Sequence, residues 1–128
     1  MINSSKKAKI LIVEDDKFLL NIYETVFAKE GFEVQTAMNG EDGYRLAMKL
    51  LPDVMLLDIM LPGGMNGLEV LKKLKEAQSS RGIPVMIISN LSDDKTISEG
   101  MSLGASGYFT KSQFNPDDVV KNVRTIIK

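Results

Sequence analysis

Short runs of β-branched and other apolar residues recur along this chain, each followed by a stretch with helical period, and that alternation restricts the fold severely. KILIV at 9–13, VMLL at 54–57, PVMIIS at 84–89 and GYFT at 107–110 read as strands covered on both faces. FEVQTA at 32–37 is more mixed and suits a sheet edge. Between them, Leu19, Ile22, Tyr23 and Val26 form one apolar stripe, Gly43, Leu46, Ala47 and Leu50 a second, and Val119, Val120, Val123 and Ile127 a last one. Local signals agree: Asn115-Pro116-Asp117-Asp118 is a helix start, and Gly31 and Gly104 stand where helices should stop. LPGGMNG at 61–67 is a loop, and a helix continues from Leu68 to about Ala77. A βα unit repeated five times predicts an α/β domain, a five-stranded parallel sheet with five helices covering both faces in a doubly wound arrangement.

The 128 residues, 44% hydrophobic and 26% charged, fit one compact domain. The expected organisation is a short tail at 1–8, mobile through Lys7, and one domain at 9–128. Sixteen basic against seventeen acidic residues leave a net charge of -1, so no overall field draws the chain to nucleic acid or anionic lipid. The absence of cysteine excludes disulfides and thiolate sites, and the absence of histidine excludes Ser/His/Asp catalysis, imidazole-bound zinc and a phosphohistidine on this chain. No apolar run approaches the roughly 20 residues of a membrane span, and the N-terminus lacks the apolar centre of a signal peptide. A cytoplasmic location is expected.

In an open parallel sheet, ligands bind beyond the carboxyl ends of the strands. Glu14, Asp15 and Asp16 follow the first strand, Asp58 ends the third, Ser89 ends the fourth and Lys111 follows the fifth, so all converge on one edge. Singly, each has a plain structural reading: Asp16 as a helix N-cap, Ser89 as a turn hydroxyl, Lys111 as a surface lysine. Asp58 differs, because VMLLDIMLP sets one carboxylate in an apolar run where an unpaired charge costs several kcal/mol. Bringing Glu14 and Asp15 to it adds repulsion of about 4 kcal/mol per pair at about 4 Å and an effective dielectric near 20. A divalent cation reverses that sign. With only oxygen donors available, a hard ion fits, and Mg²⁺ is the expected cofactor.

These residues resemble the receiver domain of bacterial two-component response regulators, over Lys9 to Lys128. The likeness is carried by the acids after ILIV, the aspartate of PDVMLLDIMLP, the hydroxyl of PVMIISN, and GASGYFTK, in that order. It implies a flavodoxin-like (βα)5 fold with Asp58 as phosphoacceptor and Glu14 and Asp15 as the metal-binding pair, completed by the Met60 backbone carbonyl. It further implies Ser89 and Lys111 as the phosphoryl-binding hydroxyl and lysine, and Tyr108 as an aromatic switch on the face of the fourth helix, fifth strand and fifth helix. The implied partners are a histidine kinase or histidine phosphotransfer protein as donor and a separate downstream effector protein. Direct nucleic-acid contact is not expected, nor is any enzyme activity beyond the domain's own phosphoryl transfer and loss.

The sequence departs from that family pattern in several places. Ser112 follows Lys111 where the family carries a cis-proline, and a cis bond before another residue costs about 2.5–4 kcal/mol, so a trans peptide and a shifted loop are expected. LPGGMNG is one residue longer than the usual loop. Asn90 narrows the entry, and Met60 and Leu91 cannot orient a water, which predicts slow self-dephosphorylation. Three other readings compete. A Mg²⁺-dependent phosphatase with an aspartate nucleophile would need a general acid where Met60 stands. A flavin binder would need a phosphate loop where EDDKF repels phosphate. A receiver-shaped interaction module would act without phosphorylation.

Overall fold

The computed structural model describes residues 7–91, 93–112 and 115–127. Its elements alternate as β1 (Lys9–Val13), α1 (Lys17–Lys29), β2 (Glu33–Ala37), α2 (Gly40–Leu50), β3 (Val54–Leu57), α3 (Gly67–Glu76), β4 (Val85–Ser89), α4 (Asp94–Ser102), β5 (Gly107–Thr110) and α5 (Pro116–Ile127). The strands form one sheet in the order β2-β1-β3-β4-β5, with every pairing parallel. The mixed FEVQTA segment lies at an edge, as its polarity required.

Side chains alternate across the sheet and build a core on each face. Ile10, Ile12, Leu56 and Ile88 pack with Phe27, Val119 and Val123 of α1 and α5. Leu11, Val13, Met55, Leu57 and Ile87 pack with Ala47 of α2 and Val70, Leu71 and Leu74 of α3. The strands read as continuous apolar runs because helices cover both faces.

Helix boundaries follow local chemistry. Asp16 caps α1, accepting from Phe18 N–H at 3.0 Å and Leu19 N–H at 3.2 Å. Asn66 and Glu69 form a reciprocal capping box at the start of α3. Asn115 accepts from Asp118 N–H at 2.9 Å. Residues 1–6, most of the expected tail, lie outside the described residues. Ala8 belongs to the domain rather than to the tail: it packs against the α1/α5 core, and its carbonyl accepts from Glu33 N–H at 2.8 Å.

The sheet order fixes where a ligand site can form. β1 lies between β2 and β3, so successive connections turn in opposite directions from it and leave a crevice at its carboxyl end. Val13 pairs with Leu57, and therefore Glu14 and Asp58 leave the sheet side by side.

Candidate functional site

Asp58 continues from a fully buried VMLL strand and is itself only 3% exposed. Its Oδ2 accepts from Lys111 Nζ at 3.0 Å, and its Oδ1 accepts a long bond from Met60 N–H at 3.3 Å. Glu14 is 1% exposed; its Oε2 accepts from Asp16 N–H at 3.0 Å. Asp15 is exposed, yet one carboxylate oxygen from each of Glu14, Asp15 and Asp58 falls within 4.8 Å of the others. They open onto a cleft of about 330 Å³ that Met60, Asn90 and Lys111 also line.

Lys111 sits closer to the acids than sequence position suggests. Its backbone N–H donates to Ser89 O at 2.8 Å, extending the β4–β5 ladder by one residue. From there Nζ reaches Asp58 and comes within 2.7 Å of Glu14 Oε1. The Lys111–Ser112 peptide is trans, as expected, and with that bond the lysine reaches both acids. The crowded acids, for which a divalent cation is the expected relief, have a first counter-charge within the chain. One ammonium already bridges two of the three carboxylates, because the fifth strand's end lies across the fourth from them.

Electrostatics follow from that count of charges. Burial pushes the Glu14 carboxyl up, and this outweighs the lowering by Lys111. Burial alone would lower the Lys111 ammonium, but contact with two carboxylates prevails and raises it. Four acids, Glu14, Asp15, Asp16 and Asp58, against one lysine leave the cleft negative.

Residues 10–124 match the family described as the response regulator receiver domain. The chain belongs to that family. The receiver domain is 39% identical over 104 residues to the response regulator PleD of Caulobacter vibrioides, covering 81% of this chain and 23% of that protein. It is 34% identical over 120 residues to the response regulator ArlR of Staphylococcus aureus, covering 94% of this chain and 52% of the relative. The chain thus spans about a quarter to a half of these curated relatives. A solved CheY-like receiver domain protein from Methanospirillum hungatei superposes with a TM-score of 0.87 at 25% identity, covering 95% of this chain and 94% of that one. The fold is therefore flavodoxin-like, and the family acts in two-component signalling, where response regulators meet histidine kinases and downstream effectors.

The donor set of the receiver domain suits a hard cation. All the clustered donors are oxygens, and buried Glu14 Oε1 is ion-paired with the Lys111 ammonium at 2.7 Å without a well-aligned hydrogen bond. Three carboxylates, each offering an oxygen within 4.8 Å of the others at an open cleft, are the donors a hard divalent ion takes.

The remaining expected residues occupy two positions. Ser89 is fully buried and does not line the cleft; its Oγ accepts from Leu91 N–H at 3.2 Å. Tyr108 is half-buried, and its hydroxyl donates to Leu91 O at 2.7 Å. Burial raises the Tyr108 phenol, with the Ser89 hydroxyl beside it opposing. One residue, Leu91, therefore joins the two.

Sequence reasoning brought Asp16 to this edge but missed Leu19 and Tyr23 as neighbours of the site. Asp16 lines the cleft as well as capping α1, and Leu19 lies beside it. Tyr23, taken only as core, has its phenol pushed up to about 12, chiefly by burial, within range of Lys111, Glu14 and Asp58. Its spacing of four from Leu19 was the available signal, since it sets both side chains on one helix face.

Proposed function

We propose that Asp58 accepts a phosphoryl group from a phosphohistidine on a partner protein, so that the domain serves as the phosphoacceptor of a two-component relay. The observation that carries this reading is Asp58 itself: a buried carboxylate with Lys111 on one oxygen and a single weak contact on the other, beside further acids in an open cleft. Asp58 Oδ1 is the freer oxygen and the natural nucleophile. As the O–P bond forms, the P–N bond to the donor imidazole breaks and the imidazole leaves with that electron pair. Lys111 draws negative charge from the transferring oxygens, and because it already lies against Asp58 it needs little reorganisation. Held by Glu14, Asp15, Asp58 and the Met60 carbonyl, Mg²⁺ would supply positive charge to the site. These positions support a phosphoacceptor over the phosphorylation-independent module, since the lysine is in place despite Ser112.

Phosphorylation adds about 1.5 to 2 negative charges where one carboxylate stood. Ser89, turning toward the new oxygens, releases Leu91 N–H, and Leu91 O is the acceptor that holds Tyr108. The face of α4, β5 and α5 then changes for a downstream protein. No helix among the described residues is long and apolar enough to cross a membrane, which agrees with action in the cytoplasm. Self-dephosphorylation is slow, because Met60 and Leu91 offer no group to orient water.

Acetyl phosphate with Mg²⁺, followed by mass spectrometric mapping, tests the assignment. Modification is expected at Asp58 and lost in Asp58→Ala; labelling unchanged in that variant excludes it. A phosphoryl lifetime of seconds would contradict the slow loss.

A further inference from the structure

The loop from Ile59 to Asn66 is fastened to a helix that contributes nothing to the acid cleft. Gly64 N–H donates to Glu41 Oε2 at 3.1 Å, and Glu41 Oε1 lies 3.2 Å from where a side chain on Gly63 would begin. Glu41 stands in the first turn of α2. One residue earlier, Gly40 packs so closely on the Met65 carbonyl that any Cβ there would overlap its oxygen. Gly43, one turn on, presses Val13, whose methyls lie 2.9 and 3.0 Å from its ideal Cβ position. The loop ends are joined by Gly67 N–H donating to Ile59 O at 2.8 Å. α2 therefore touches the strand that delivers Glu14 and Asp15 as well as the loop that carries Met60.

We infer that Glu41 is a positioning residue for metal binding: it holds the lengthened acceptor loop against α2 and so fixes the Met60 carbonyl relative to the acids of β1. This rests on the phosphoacceptor reading above. The need for a tether follows from the loop's composition. Gly63 sits at φ +88° and Gly64 follows it, so the stretch bearing the extra residue has the greatest freedom to lose. A charged acceptor on a helix that is itself docked removes that freedom before an ion arrives, which improves affinity by lowering the ordering cost. The exposed position of Glu41 makes a purely structural role weak, since a surface side chain removed from a well-packed helix changes stability little.

The test compares wild type, Glu41→Gln and Glu41→Ala by calorimetric titration with MgCl₂, with unfolding midpoints measured alongside. Glutamine keeps an oxygen for Gly64 N–H but removes the charge, so the pair separates tether from field. Glu41→Ala should weaken Mg²⁺ binding about three- to tenfold, below the usual loss for a direct neighbour of a metal ligand. Glu41→Gln should stay near wild type, and the midpoints should hardly move. The Mg²⁺ concentration giving half-maximal modification by acetyl phosphate should rise in Glu41→Ala, while the rate at saturating Mg²⁺ is kept. Equal Mg²⁺ affinity in all three proteins overturns the inference and leaves the phosphoacceptor reading intact; equal weakening in both variants overturns it in favour of simple charge. Absence of Mg²⁺ binding in wild type overturns both. Amide exchange at Gly64 in wild type gives an independent reading: protection is expected, and exchange at the free-chain rate overturns the tether.

Discussion

α3 and α4 occupy equivalent places, each following a strand that ends at a site residue, yet they are held very differently. α3 begins with a capping box and buries Val70, Leu71 and Leu74. α4 has an Asp93 cap on Thr96 N–H, and the one residue it buries is Gly100. Full burial of an aliphatic side chain stabilises by about 1.5–3 kcal/mol, so α3 carries several such contributions where α4 has none. Gly100 lets α4 approach β4 and β5: its ideal Cβ position is 2.7 Å from Ile87 Cδ1 and 3.6 Å from the Tyr108 ring. The neighbouring Met101 is 44% exposed. An anchored helix beside Asp58 and a lightly held one beyond Ser89 is a division suited to a switch, because local opening is cheapest where few apolar contacts must be broken.

Matched truncations test this contrast most directly. Leu71→Ala should lower unfolding free energy by about 2–5 kcal/mol in urea denaturation, given its complete burial. A loss below about 1 kcal/mol would deny α3 its role as anchor.

Lys111→Met acts from the α4 side, since Lys111 ties the end of β5 to the acids. It should cost about 2 kcal/mol near neutral pH, less than for an enclosed pair because the cleft is open to water. Mg²⁺ should restore part of the loss. The pH dependence has a definite sign: Lys111 holds its proton more tightly when folded, so its contribution is complete below pH 10.5 and is lost as pH rises through the raised value. Wild type should lose stability in that alkaline window, and the variant should lack that component.

Tyr108→Phe removes the bond to Leu91 O and should cost about 1 kcal/mol, with hydrogen exchange accelerated in α4 but not in α3. Smallest is Ile97→Ala. Ile97 is half-buried on α4, and a cost below about 1 kcal/mol is expected by the same denaturation measurement. A loss matching that of Leu71→Ala would erase the distinction between the helices.

The sequence alone carried the strand positions, the edge place of β2, the caps at Asp16 and Asn115, and the meeting of Glu14 and Asp58 at one sheet edge. Each is encoded within a few residues, by periodicity, by β-branching or by a side chain reaching its own helix start. α4 offered no apolar stripe to read, and its packing on a glycine explains why. Only tertiary structure decided that Lys111 bridges Glu14 and Asp58, that Ser89 and Tyr108 meet at Leu91, and that Glu41 fastens the acceptor loop. Those contacts join elements far apart in the chain. Their partners are selected by sheet order and helix docking, which no local pattern of residues specifies.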